Sequence, residues 1–189
     1  VFAYALNADD VTIWKDVRGL YSADPKYFDN VVLLPHVSYH EAVELAYYGQ
    51  SIIHPKTIKP LQNKHIPLYI RSFVEPNMRG TVIDYLATDD TLIPSFILKD
   101  NQMLVSVSTK DFSFINEYFL KEIFSTLAKL KMKINVMQNS AISFTFCTDC
   151  NKSKLESFID TLKTVFLVRY NDNLKLITIR NYNDAIIED

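Results

Sequence analysis

The chain reads as an α/β protein in two parts, the end of an α/β sandwich followed by a compact βαββαβ module. Three observations predict this. Through about residue 84, short apolar runs with strand alternation trade places with helical patterns that carry caps. Residues 85 to 95 then turn polar, with Asp89-Asp90 and Pro94 as breakers. Beyond them the apolar period switches repeatedly between 2 and 3.6, in the order strand, helix, strand, strand, helix, strand.

Residues 1 to 8 have the apolar content of a helix end. Val11 to Lys15 follows as a central strand, since Val11, Ile13 and Val17 alternate with polar neighbours. Gly19 supplies a turn where backbone can approach a ligand closely, and Asp24-Pro25 forces an extended exit. Ser38 and Glu41 have capping-box spacing, and Ala42, Val43, Leu45 and Ala46 support a helix that stops at Gly49. A second helix spans Pro55 to Lys64, with Pro55 tolerated in the first turn and Pro60 expected to bend or shorten it. Pro67 to Phe73 is the next strand. After the polar connection, Leu104 to Ser108 alternates as a strand, and Phe119, Leu120, Ile123, Phe124 and Leu127 make one helical face. Ile134 to Val136 is a strand; Ile142, Phe144 and Phe146 share a face of another. Leu155, Phe158, Ile159 and Leu162 repeat the helical spacing, Phe166 to Tyr170 is strand-like, and Leu174 to Ile179 reads as one further strand.

Composition narrows the function. With 189 residues and 48% apolar content the chain can bury one large core or two small ones. A formal charge of −2 offers no concentrated basic surface, which argues against nucleic acid or an anionic membrane as partner. No apolar run of about 18 residues is present to span a bilayer. Cys147 and Cys150 are the only cysteines, with no second ligand pair for a zinc site, so they read as two reduced thiols of a cytoplasmic protein. His54, between an apolar pair and Pro55, reads as a helix-capping histidine; His36, His40 and His65 lack metal-ligand spacing. Glycine is the most restrictive count: three, never adjacent. Phosphoryl transfer relies on closely packed backbone amides to cradle phosphates, usually from clustered glycines. The chain starts without Met, inside an apolar pattern, and is expected to be cropped from a longer protein.

The order of motifs adds identity to this outline. Trp14-Lys15-Asp16-Val17 runs into Gly19-Leu20-Tyr21 and Asp24-Pro25. Ser38-Tyr39-His40-Glu41-Ala42, Glu44-Leu45-Ala46, Gly49, His54-Pro55, Ile66-Pro67, Ser72 and Gly80-Thr81-Val82-Ile83 follow. In that order they resemble the landmarks of aspartokinases, which phosphorylate L-aspartate. The later βαββαβ pattern resembles the ferredoxin-like ACT module, which binds amino acids and regulates such enzymes. The resemblance implies four segments. Residues 1–84 would be the C-terminal part of the amino-acid-kinase α/β sandwich, and 85–95 a linker. Residues 96–172 would be an ACT module, and 173–189 the first strand of a second, truncated one.

What the resemblance implies about sites follows residue by residue. Asp16 and Tyr21 match positions at the adenine and ribose of ATP. Lys15 stands where many members have Thr, Lys26 where they have Arg, and Ser51 where many have a nucleotide-contacting Lys; all three are assigned to the nucleotide. Ser113, Asn116, Phe119, Leu120, Asn135, Ser140 and Ala141 match the effector pocket, where helix-start amides receive a carboxylate. Asn135 replaces an Asp and Ala141 a Glu. No catalytic or metal-binding residue is expected in this chain. ATP, with Mg2+, and L-aspartate would serve the parent enzyme, whereas the fragment itself would need no cofactor. Partners would be an end-product amino acid such as lysine or threonine, and a second copy through the ACT modules. Since the family's phosphate-cradling Gly-Gly segments are absent, the fragment itself is expected to be inactive. The alternative is a non-catalytic regulatory protein that uses only the ACT part. A glutamate or carbamate kinase relative is opposed by the ACT-like half and by Gly80-Thr81-Val82-Ile83.

Overall fold

A computed structural model describes residues 2–50, 52–87 and 93–182. The chain divides into two compact units, residues 1–98 with 177–189, and residues 99–176. Both boundaries fall inside long strands.

In the first unit, strands β1 (Val11–Lys15), β2 (His36–Ser38), β3 (Leu68–Ser72) and β4 (Thr81–Asp84) form a sheet ordered β1-β3-β4-β2. β1 runs parallel to β3 and β2 parallel to β4, while β3 and β4 are antiparallel. β1, expected to be central, ends this order, since among the described residues it pairs with β3 alone. β2 and β4 have no counterpart in the sequence reading: each is three or four residues long, too short to show a period. β3 alternates as expected, burying Leu68, Ile70 and Ser72.

Helices α1 (Phe2–Leu6), α2 (Tyr39–Tyr48) and α3 (Pro55–Asn63) accompany the sheet. The Ser38 hydroxyl accepts from the Glu41 amide at 3.0 Å, and Gly49 closes α2 by donating its N–H to the Leu45 carbonyl. α3 runs through Pro60. A proline inside a helix costs about 3 kcal/mol, but Ile58 and Leu61 are fully buried there, each contributing about 1.5–3 kcal/mol. Burial therefore outweighs the proline. Leu45, Ile58, Leu68, Ile70 and Ile83 form the centre of the core.

The second unit carries β5 (Ser95–Thr109), α4 (Glu117–Lys129), β6 (Ile134–Asn139), β7 (Ser143–Asp149), α5 (Lys152–Leu162) and β8 (Phe166–Arg180). Its sheet is ordered β6-β7-β5-β8, the arrangement of a βαββαβ module. β7 is antiparallel to both β5 and β6. Met103, Val105 and Val107 alternate inward with Phe144 and Phe146, and Ile123, Leu127, Leu155, Phe158 and Leu162 come from the helices. Ring contacts run Phe124–Phe144–Phe146–Phe158 at 5.3 to 5.8 Å. Ile142, read as part of that face, precedes β7 and is 43% exposed.

Two strands are longer than the periodicity reveals. β5 begins nine residues before Leu104, because Asn101 at φ 55° interrupts the alternation. Leu174 to Ile179 lies in the same strand as Phe166 to Tyr170, with Asn173 at φ 56° between them. Asparagine tolerates that left-handed backbone better than most side chains.

Candidate functional site: a cavity beside the Gly19 to Lys26 turn

The first unit holds a cavity of about 230 Å³. One wall comes from the turn after β1, contributing Val17, Tyr21, Ala23 and the Asp24-Pro25-Lys26 segment. The rest of the lining comes from Gly49, Gln50 and Ile52 after α2, and from Phe96, Ile97 and Leu98 at the start of β5.

Local chemistry fixes the turn. Gly19 has no Cβ because one would overlap the Thr81 hydroxyl. That hydroxyl accepts from the Leu20 amide at 2.9 Å and donates to the Leu34 carbonyl at 2.7 Å, tying the turn to β4 and to the return segment. Backbone bonds from Ser22 to Val32 and from Leu34 to Leu20 zip the two limbs together. The Asp24 carboxylate accepts from the Lys26 amide at 2.9 Å, an Asx turn that sets Pro25 and Lys26 at the rim. Phe96 donates its N–H to the Ser22 carbonyl at 2.6 Å, and its ring packs 5.8 Å from Phe28, which anchors the start of β5 to the turn. The result is a largely apolar slot with an aromatic, a carboxylate and an ammonium at its mouth. Such a slot suits a flat, partly apolar ligand with an anionic end.

Of the residues assigned to the nucleotide, Tyr21 and Lys26 line this cavity. Lys15 ends β1 and Asp16 follows it, exposed; both stand outside the lining. Ser51 lies outside the described residues. Sequence reasoning missed Gln50 and the stretch from Phe96 to Leu98. Gln50 sits one residue past the helix-ending Gly49. The stretch had only an apolar run after Pro94 to mark it, more than 40 residues further on. His54 caps α3, its Nδ1 accepting from the Lys56 amide at 3.1 Å. Among the described residues, no three His, Cys, Asp or Glu side chains gather to hold a metal ion.

The effector residues separate into two groups in the second unit. Ser113, Asn116, Phe119, Leu120, Ser140 and Ala141 gather at one end, where the Ile115 amide donates to the Ala141 carbonyl at 2.8 Å. Asn116 caps α4, its side-chain oxygen accepting from the Tyr118 and Phe119 amides at 3.1 Å each. Two of the helix-start amides expected to receive a carboxylate are thus already paired. Ser113 donates to Asp111 through both its amide and its hydroxyl, which holds the Asp111 carboxyl below its usual range. Phe119 packs edge-on against Phe166 at 5.4 Å, and Leu120 also faces the core. Ser140 closes the turn back to Ser143.

Asn135 sits at the other end of β6, buried in a polar network that the sequence did not reveal. It donates to Gln102 at 2.7 Å and to Asp149 at 3.0 Å, and accepts from Lys99 at 2.8 Å. Gln102 also donates to Asp149 at 2.9 Å, and this bond is the main reason that the Asp149 carboxyl titrates below its ordinary value. Burial lowers the Lys99 ammonium and raises the Cys147 thiol. Cys147 and Cys150 are both free thiols.

Comparison with known proteins places these features in context. Residues 1–72 match the model of the amino acid kinase family. Aspartokinase 3, chloroplastic, of Arabidopsis thaliana is 27% identical over 186 residues, which is 92% of this chain and 33% of that protein. Among solved structures, Escherichia coli aspartokinase III in complex with lysine and aspartate superimposes with a TM-score of 0.77 at 26% identity. The match covers 93% of this chain and 40% of that one. The same enzyme with aspartate and ADP gives the same score. Clostridium acetobutylicum aspartate kinase shares the fold, with a TM-score of 0.82 at 23% identity over 94% of this chain and 42% of that chain. The chain spans about a third of the length of the curated relatives that it matches first. No helix among the described residues is long and apolar enough to cross a membrane.

Proposed function

We propose that this chain, a homologue of aspartokinases along nearly its whole length, is the nucleoside-binding and regulatory portion of an aspartate kinase. The parent reaction transfers the γ-phosphoryl of ATP to the β-carboxylate of L-aspartate. The cavity beside the Gly19 to Lys26 turn carries the reading, because the landmarks Tyr21, Asp24-Pro25 and Gly49 line it and Thr81 anchors its turn. In this view Tyr21 offers a flat surface to the nucleoside and Lys26 a positive charge to the phosphates. Lysine supplies that charge without the planar fork of arginine. Lys15 and Asp16 would meet the nucleotide beyond the slot, and Ser51 would replace a charge with a hydroxyl. Magnesium would travel with the nucleotide's phosphates and neutralise them.

The division into a kinase part at 1–84, a connection at 85–95, an ACT module at 96–172 and the start of a second at 173–189 is part of the same proposal. So is an end-product amino acid as effector, bound near Asn116 and Ala141. With Asn116 occupying two helix-start amides and Ala141 offering no charge, the site favours lysine little over a neutral amino acid. Asn135 would contribute through the polar network more than by direct contact.

A hybrid tests the activity. This chain replaces the matching stretch of Escherichia coli aspartokinase III, and aspartate-dependent phosphoryl transfer is followed. Activity that falls at least tenfold on Tyr21→Ala supports the proposal; a folded hybrid without aspartate-dependent turnover rejects it. The chain alone should give no turnover, since positioned phosphate contacts supply most of the catalysis and it has no adjacent glycines to form them.

A further inference from the structure

We infer that Gln50 reads the base of the nucleotide, selecting a purine that carries an amino group at its 6-position. The inference rests on the nucleotide reading above and adds to it the group that is recognised.

Gln50 follows α2, and its backbone N–H donates to the Leu45 carbonyl at 3.0 Å, which fixes where its side chain starts. The side-chain Nε2 donates to the Tyr21 carbonyl at 2.7 Å. That bond sets the orientation of the amide, because the reverse one would press two carbonyl oxygens together. Oε1 is therefore the free end. It is buried and accepts no hydrogen bond from the protein. Buried acceptors are nearly always satisfied in native proteins, and one left empty beside a cavity points to a donor that arrives with a ligand.

The rest of the lining indicates what kind of ligand brings it. Val17, Ile52, Phe96, Ile97 and Leu98 make the slot apolar, which suits the faces of an aromatic ring. Lys26 at the rim suits an anionic tail. A ring with a single exocyclic donor completes the pattern, and adenine has one in its 6-amino group. A 6-oxo purine would set oxygen against oxygen. The terminal torsion of glutamine is broad, so a small turn aims the lone pair into the cavity while the bond to Tyr21 is kept. The same amide then links base and turn, holding Tyr21 where the nucleoside needs it.

The test compares three triphosphates by ligand-observed NMR on this chain: adenosine, purine riboside without a 6-substituent, and inosine with a 6-oxo group. ATP should bind about tenfold tighter than the purine riboside triphosphate, and the inosine form should be weakest. Gln50→Leu keeps the volume and removes the acceptor, so it should bring ATP down to the purine riboside level. If the native chain binds ATP and the purine riboside triphosphate alike, the role of Gln50 is overturned while the nucleotide pocket stands. If none of the three binds, the pocket reading falls and takes this inference with it. The native-chain comparison holds even where the variant fails to fold.

Discussion

At the scale of single residues, the most consequential interaction in the first unit is one no periodicity could reveal. Glu41 belongs to the Ser38-Tyr39-His40-Glu41 motif, whose spacing marked it as a capping-box partner. Its side chain is also buried against Arg180, which donates from Nε and Nη2 to the two carboxylate oxygens at 2.9 and 2.7 Å and from Nη1 to Glu44 at 3.1 Å. The two partners are 139 positions apart, so only the fold brings them together. Glu41 is 5% exposed, and neutralising it leaves Glu44 to balance Arg180, so two of the three charge-assisted bonds described are weakened. Glu41→Gln should therefore cost about 2 kcal/mol, whereas the double variant Glu41→Gln with Arg180→Met should recover part of that loss. Urea unfolding measures both, and a single variant as stable as the native chain would rule out a structural role for the pair. A second prediction concerns pH. Asp149 has its folded pKa depressed, chiefly by Gln102, from an ordinary 3.8. A depressed carboxyl stabilises the fold above its unfolded pKa, and that stability disappears as pH falls through the folded value. The advantage of the native chain over Asp149→Asn should thus be full at pH 6 and shrink below about pH 4. Urea midpoints at pH 6 and 2.5 decide it; a gap that stays constant or widens in acid contradicts the network. Tyr21 and Lys26 were legible because motif order placed them, whereas Gln50 and the Asn135 network depend on partners distant in sequence.

At the scale of elements, what the sequence revealed depended on length and caps. α2, α4 and α5 emerged with their bounds within three residues because each has a polar capping side chain and about three turns of pattern or more. β2 and β4, with three and four residues, had no period to read. β5 and β8 were read short because Asn101 and Asn173, both at positive φ, reset the alternation halfway. The Gly80-Thr81-Val82-Ile83 motif shows how a landmark can be clear while its structural reason stays hidden. Gly80 has φ 72°, and a Cβ there would run into the Ile70 carbonyl oxygen of the neighbouring strand. Thr81 in turn holds the cavity turn through Leu20 and Leu34. Gly80→Ala should destabilise the chain by at least about 2 kcal/mol, combining left-handed strain with the clash. It should also weaken ATP binding, since β4 carries the anchor of the turn. Thermal melting and nucleotide titration on the same sample check the two effects, and a variant that melts with the native chain would show that β4 can shift to make room.

At the scale of the whole molecule, the two periodic regimes were legible because each part buries its own core, whereas the exact unit boundaries were not. The boundaries fall within β5 and β8, where no turn or breaker marks the change of unit in the sequence. The βαββαβ sheet ends in β6 on one side and β8 on the other. A sheet edge exposes a row of unpaired N–H and C=O groups, and natural proteins usually blunt such edges with charge, bulges or a cover. β6 has a register shift between Ile134 and Val136 but no charge to blunt it: Val136 and Met137 are 48% and 56% exposed, and the strand carries no charged residue between Ile134 and Asn139. Pairing with the same strand of a second copy would satisfy those groups and bury the apolar side chains, a closed two-fold arrangement that needs no other partner. The expected outcome is a dimer at micromolar concentration, measured by light scattering, which Val136→Lys with Met137→Lys converts to monomer without lowering the melting temperature of the second unit. Charged side chains of like sign facing each other across the two-fold would oppose the pairing, whereas in a monomer they would simply extend into water. A native chain that is monomeric up to about 100 μM, near the weak end of specific association, would show that this edge is tolerated bare.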